Sequence, residues 1–284
     1  MEYFDNLIEK VIEWEKVNES KLYNINNETR VKKLIEKLSN EILVIFSEDR
    51  LINKYEAYEL LMEYYNDTLK DDLYLIVENG WIPKLIYGQD KNGKIKKNEF
   101  DSDLLAKDII IKEYFNEYAE NLNKLNDELS NLVQKFEAEV EENIGDEAIF
   151  TDEDKINEKL IKDKINEEIE ENIVILKSMQ NNLEKQKELK KNIKAVQEEL
   201  NDLIIKKYDS LDEETAKELI IKKKWFNDLE KRFADMYIDI IYNLSNQITV
   251  EVDNYENTLK KLINETSVLE SLVLKDLERM GYKC

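Results

Sequence analysis

Between Gly93 and Gly281 the chain has a single glycine, Gly145, and no proline. Glycine supplies the sharp turns and close backbone approaches on which most ligand pockets are built. A stretch of this length without it, dense in Leu, Ile, Glu, Lys and Asn, implies long helices and not a catalytic pocket. The one proline, Pro83, and Gly80, Gly88 and Gly93 crowd into one short segment. The pattern therefore predicts a compact N-terminal part followed by a long helical part.

Charge excludes some functions. Of 284 residues, 37% are charged and the net charge is −22, with 42% apolar residues to build a core. A charged share this high suits coiled coils and long exposed helices. Non-specific nucleic-acid affinity comes from cations that displace phosphate counterions, so the chain as a whole repels a phosphate backbone. The basic runs Lys190-Lys191 and Lys222-Lys223-Lys224 sit among carboxylates and read as solvated helix faces. Cys284 is the only cysteine, which excludes an internal disulfide or a cysteine-based metal site within one chain and suits a reducing cytosol. No apolar run approaches the ~20 residues that span a bilayer, and Met1-Glu2-Tyr3-Phe4-Asp5 is unlike a secretory signal. The expected location is cytoplasmic.

Helical spacing is clear along most of the chain. Phe4, Leu7, Ile8, Val11 and Ile12 mark a first helix over 2–18. Asn24 to Asn27 break it, and Val31, Leu34, Ile35, Leu38, Ile42 and Ile45 mark a second. A turn at Ser47 to Arg50 precedes a third helix from Lys54 to Leu69. The period then changes: Leu73-Tyr74-Leu75-Ile76-Val77 reads as a β-rich run and Leu85-Ile86-Tyr87 as a second strand. Asp90 to Lys97 reads as a hairpin tip. These place a small β excursion at about 72–104.

From Ile111 the apolar positions run Ile111, Phe115, Tyr118, Leu122, Leu125, Leu129, Leu132 and Phe136, in alternating steps of four and three. This is a heptad seam, which supercoils against another helix. Asn143 to Asp152, centred on Gly145, break it. Residues 153–207 are again helical, with a less regular apolar side at Ile169, Ile173, Leu176, Leu183, Ile193, Val196, Leu200 and Leu203. A chain reversal at Gly145 lays the two stretches antiparallel. Ser210-Leu211-Asp212-Glu213 carries an N-cap signature. An unbroken apolar stripe then runs from Trp225 to Met280, ended by Gly281 as a C-cap. A helix of ~65 residues at about 1.5 Å each is near 100 Å long and needs other helices beside it. The expected fold class is mainly α: a small N-terminal helical domain with a short β-hairpin (1–110), then long antiparallel coiled-coil-like helices (111–284), at about 108–143, 153–207 and 212–280.

The search for chemistry yields little. The chain has no histidine and no phosphate-cradling glycine loop. Carboxylate groupings such as Glu137, Glu141 and Glu142, or Asp71-Asp72, read as solvated faces and a helix end. Trp14, Trp81 and Trp225 read as packing residues, Trp81 in the core of the small domain. No residue qualifies as catalytic, cofactor-binding or metal-binding.

One segment is distinctive. It reads Leu51-Ile52-Asn53-Lys54-Tyr55-Glu56-Ala57-Tyr58-Glu59-Leu60-Leu61-Met62-Glu63-Tyr64-Tyr65, then Lys70-Asp71-Asp72-Leu73-Tyr74-Leu75-Ile76 and Asn79-Gly80-Trp81. It resembles the C-terminal region of the methylation (M) subunit of type I restriction-modification systems, with its Tyr-Asp-x-Tyr helix and Asp-Asp-x-Tyr-Leu-Ile element. Further matches follow in the same order: Phe100-Asp101-Ser102-Asp103-Leu104 with Ile109 to Phe115, Ile144-Gly145-Asp146-Glu147, Lys207-Tyr208 through Lys224-Trp225, and Leu277-Glu278-Arg279-Met280-Gly281. Departures are Glu56 for the usual Asp, Tyr65 for Trp and Ala106 for Pro. The family methylates adenine N6 in DNA from S-adenosylmethionine, through an upstream domain whose Asn-Pro-Pro motif is not here. The resemblance thus implies no catalysis and no cofactor in this chain, which is similar to the part after that domain, as a shortened or separately encoded piece.

The implied partners are the specificity (S) subunit, the methyltransferase domain of the M subunit and the restriction (R) subunit. DNA is engaged only through the complex, no membrane is involved, and a homodimer is an option in isolation. Leu259, Leu262, Leu269, Val273 and Leu277 are the expected partner face, against the alternative that they close an intramolecular hairpin. Two other functions remain open. One is an adenine-N6 methyltransferase component supplied as a split polypeptide. The other is a generic coiled-coil scaffold or acidic DNA mimic.

Overall fold

A computed structural model describes residues 2–49, 51–89, 91, 93–145, 149–151, 156–167 and 170–282. Expectations that fall on Arg50, Asp90, Asp146, Glu147, residues 152–155, Ile169 and Cys284 lie outside the described residues. The protein is mainly α-helical with one short antiparallel hairpin, as the sequence implies. It divides into two compact units, residues 1–74 with 225–284, and residues 75–224.

The first unit holds α1 (Glu2–Tyr23), α2 (Val31–Ile45), α3 (Lys54–Tyr64) and α10 (Asn227–Arg279), with the start of α4 (Lys70–Asn79). α1 packs on α2 and α10, and α3 packs on α2 and α10. The apolar faces read from the sequence are the buried ones: Leu7, Val11, Trp14 and Leu22, then Val31, Leu34, Leu38 and Ile42. Trp14 donates its indole N–H to the Leu38 carbonyl at 2.9 Å, so its one polar atom is satisfied inside the core. Asn53 caps α3 in a reciprocal capping box with Glu56. Phe46 stacks on Phe233 of α10 with ring centroids 5.3 Å apart.

Leu73 to Val77 are not a strand. They lie in α4, and a π-helical turn over Tyr65–Leu69 joins this helix to α3. Leu69, Leu73 and Ile76 are fully buried, at steps of four and three, while Tyr74 is exposed. The core selects a period of 3.6 and overrides the strand preference of a short apolar run. The β excursion accordingly shrinks to β1 (Leu85–Gln89) and β2 (Ile95–Ser102). They pair antiparallel with Tyr87 opposite Phe100 and a bulge at Tyr87/Gly88. β2 begins at Ile95, inside the stretch expected as hairpin tip.

The second unit contains this hairpin, α5 (Lys107–Tyr114), α6 (Asn116–Glu142), α7 (Glu158–Glu167), α8 (Glu170–Asp209) and α9 (Glu213–Glu218). Asp101 accepts from the Lys107 amide at 2.9 Å and Ser102 from the Leu104 and Leu105 amides, which turns β2 into α5. The helix expected over 108–143 is interrupted at Phe115, whose φ of −132° and ψ of 28° separate α5 from α6. Asp212 caps α9 through the Thr215 amide, and that bond holds its carboxyl below the ordinary value.

α6 and α8 form the antiparallel pair. Tyr118 donates to Glu199, Gln186 to the Leu132 carbonyl, and Ser178 to Glu139. From Tyr118 through Leu132 to Glu139 the contacts advance along α6, while their partners, from Glu199 through Gln186 to Ser178, retreat along α8. Every member of the heptad seam from Ile111 to Phe136 is half-buried, as expected of a helix covered by one neighbour. Around Gly145 the pair ends in a small core of Ile149, Phe150, Ile161, Leu176 and Met179.

The domain boundary expected near residue 110 does not match the compact units. Trp225, Leu229 and Phe233 are fully buried in the first unit, so the last helix belongs with the N-terminal helices. The hairpin belongs with α6–α8. The association of α10 with α1 and α3 spans more than 100 positions of chain, beyond the reach of a local pattern.

Candidate docking surface

α10 is fixed at its root. A second π-helical stretch, Leu219–Phe226, precedes it. Tyr64 donates its hydroxyl to the Trp225 carbonyl at 2.8 Å. The Trp225 indole N–H donates to Asp72 at 2.8 Å, and both residues are buried. Thr68 donates to Asp228 at 2.9 Å, and Arg232 bridges Asp228 and Asp67 with its guanidinium over the Tyr64 ring. Burial pushes the Tyr64 hydroxyl well above its ordinary pKa, so it stays a neutral donor. The Asp72–Trp225 bond joins two residues that the sequence offered as a helix end and a packing aromatic. Their separation of 153 positions hid the pairing.

Beyond this root the helix leaves its neighbours. From Ile241 to Asp276 every residue whose side chain is described is exposed. With 53 residues at about 1.5 Å each, α10 is roughly 80 Å long. Its far end closes in a Schellman motif: Tyr282 donates its N–H to the Leu277 carbonyl, Gly281 donates to Glu278, and Gly281 takes φ +88°. The expected C-cap is thus the observed one.

The bare segment is not polar. Leu259 is 60% exposed, Leu262 55%, Leu269 61% and Val273 57%, while Leu277 is half-buried. These five expected partner residues lie on one stripe of one helix, and within the protein that stripe faces solvent. Ile248, Val252 and Tyr255 extend it toward the root, and Ile263 and Leu274 widen it; all are exposed. Ile263 and Leu274 fall off the strict heptad positions, which is why a seam count passes over them. The other expected seam, Ile111 to Phe136, differs: α8 already covers one side of it.

Among the described residues no group of three or more His, Cys, Asp or Glu side chains is placed to hold a metal ion, and no helix is long and apolar enough to cross a membrane. Comparison of the chain with protein-family models, curated proteins and solved structures gives no match in any of the three.

Proposed function

We propose that this chain is an assembly module whose last helix docks on helices of a partner protein. The observation that carries the reading is the contrast along α10: a root locked by buried hydrogen bonds, then about ten turns of helix with an uncovered apolar stripe. A helix of this kind, if left alone in water, gains nothing from its stripe; an amphipathic helix is stabilised chiefly by packing that face. A helix-in-groove contact uses such a stripe as its anchor row.

The finer reading is that the module is the C-terminal region of a type I restriction-modification M subunit. Its support is the collinear series of short motifs from Leu51 to Gly281. In this reading the S subunit supplies the partner helices, the methyltransferase domain and S-adenosylmethionine belong to the rest of the M subunit, and the chain itself performs no catalysis. The R subunit and DNA are met only within the complex. In this reading, mixing the chain with its S subunit gives co-elution on size exclusion. Leu262→Asp with Leu269→Asp abolishes it. Unchanged co-elution of the double variant rejects this face, and absence of co-elution by the unmodified chain rejects the partner.

A further inference from the structure

The borders of the α10 stripe carry charge of one sign. At about 100° of turn per residue, the centre of the stripe runs through Ile248, Leu259, Thr266, Val273 and Leu277. Glu251, Glu265, Glu270 and Asp276 fall within roughly 100° of that line, Glu270 on one side and the other three on the opposite side. Lys260, Lys261, Lys275 and Arg279 all fall more than about 110° away, on the opposite face. Among the described residues from Ile248 to Met280, no Lys or Arg falls within roughly 100° of the centre line. The four border acids are exposed. Lys261 approaches Glu265 only to 4.0 Å and Arg279 approaches Asp276 to 3.7 Å, and exposed pairs of this kind contribute little.

The stripe is also wide. Ile263 and Leu274 on one border and Leu269 on the other span an arc of roughly 140°, more than the narrow seam of a two-stranded coiled coil requires. Two neighbouring helices, not one, cover an arc of this width.

We propose that the occupant of this face is a pair of helices from another protein, with apolar seams bordered by Lys or Arg. The inference deepens the docking reading of α10 and rests on it; it does not need the restriction-modification assignment. A second copy of the chain fits badly: it sets carboxylate borders against carboxylate borders and brings together two chains of net charge −22. An anionic lipid surface is disfavoured for the same reason. Like-charge borders act as specificity elements, raising the cost of the wrong partner without adding to the strength of the right one.

The test uses the full chain and two designed helical hairpins with identical leucine seams, one bordered by Lys and one by Glu. In titrations at low salt the Lys-bordered hairpin binds at least roughly tenfold tighter. Raising the salt narrows the gap. The variant Glu251→Lys, Glu265→Lys, Glu270→Lys keeps its helix content and reverses the preference. Equal binding of the two hairpins, binding of neither, or an unreversed preference in the variant overturns the proposal. So does sedimentation of the chain alone as a dimer at micromolar concentration that Leu262→Asp dissociates. Failure to co-elute with the S subunit, combined with a reversible hairpin preference, rejects the family reading and leaves this proposal standing.

Discussion

At the scale of single residues, a few buried polar atoms decide more than the apolar ones around them. Asp72 accepts from Trp225, and Tyr64 donates to the carbonyl of that same tryptophan. Trp225→Phe keeps most of the volume but removes the indole hydrogen bond to a buried carboxylate, so it should lower unfolding stability by about 1–3 kcal/mol. Tyr64→Phe removes one neutral hydrogen bond and should cost about 1 kcal/mol. Urea unfolding checks both, and a Trp225→Phe midpoint equal to the parent's counts against the network. Glu15 is a second case. It is buried in α1, its Oε1 has no hydrogen-bond partner, and burial, then Glu230 and Glu19, push its pKa from about 4.5 to about 8. The folded state therefore holds a proton that the unfolded state releases between those values, and stability falls as pH rises from about 4.5 to about 8. Glu15→Gln removes that slope. Its thermal midpoint relative to the parent should rise by several degrees on going from pH 5 to pH 8.5, and a pH-independent difference contradicts the assignment. In the sequence Glu15 is one carboxylate among 64 acidic residues, and nothing local distinguishes it.

At the scale of elements, legibility followed periodicity. The α6 seam is half-buried at each position that the alternating steps named, because a single neighbour, α8, imposes the same heptad. The matching side of α8 was less legible, since Asn182 and Gln186 occupy buried places where a heptad reading looks for apolar residues. Gln186 donates to Asn182 at 3.0 Å and reaches the Leu132 carbonyl across the pair. A polar layer inside a seam fixes register at a cost in stability. Asn182→Leu with Gln186→Leu should therefore raise the thermal midpoint while broadening the NMR signals of α6 and α8. A lower midpoint rules out that role. The α4 segment was misread for the opposite reason: five apolar residues in a row carry no period, and only the buried set Leu69, Leu73 and Ile76 reveals the helix. The π-helical turns at Tyr65–Leu69 and Leu219–Phe226 leave no signal in composition at all.

At the scale of the whole molecule, the two compact units were not legible, because α10 joins the N-terminal helices through contacts that no local pattern records. The apolar stripe of α10 was legible, since a face that packs on nothing within the protein keeps the same heptad arithmetic as one that does. Its acidic borders become visible only once the helix is known to be continuous and bare. Because the stripe is uncovered, Leu262→Asp with Leu269→Asp should leave the unfolding free energy within about 0.5 kcal/mol of the parent while eliminating partner binding. A large loss of stability instead means that the stripe is packed within the protein. Hydrogen exchange of the backbone amides from Ile241 to Arg279 tests the central claim most directly. In the chain alone these amides should exchange far faster than those of Leu229 to Phe233, and addition of the S subunit proposed as its partner should slow them to comparable rates. Strong protection in the chain alone, unchanged by the partner, contradicts the account of α10 as a helix awaiting its neighbours.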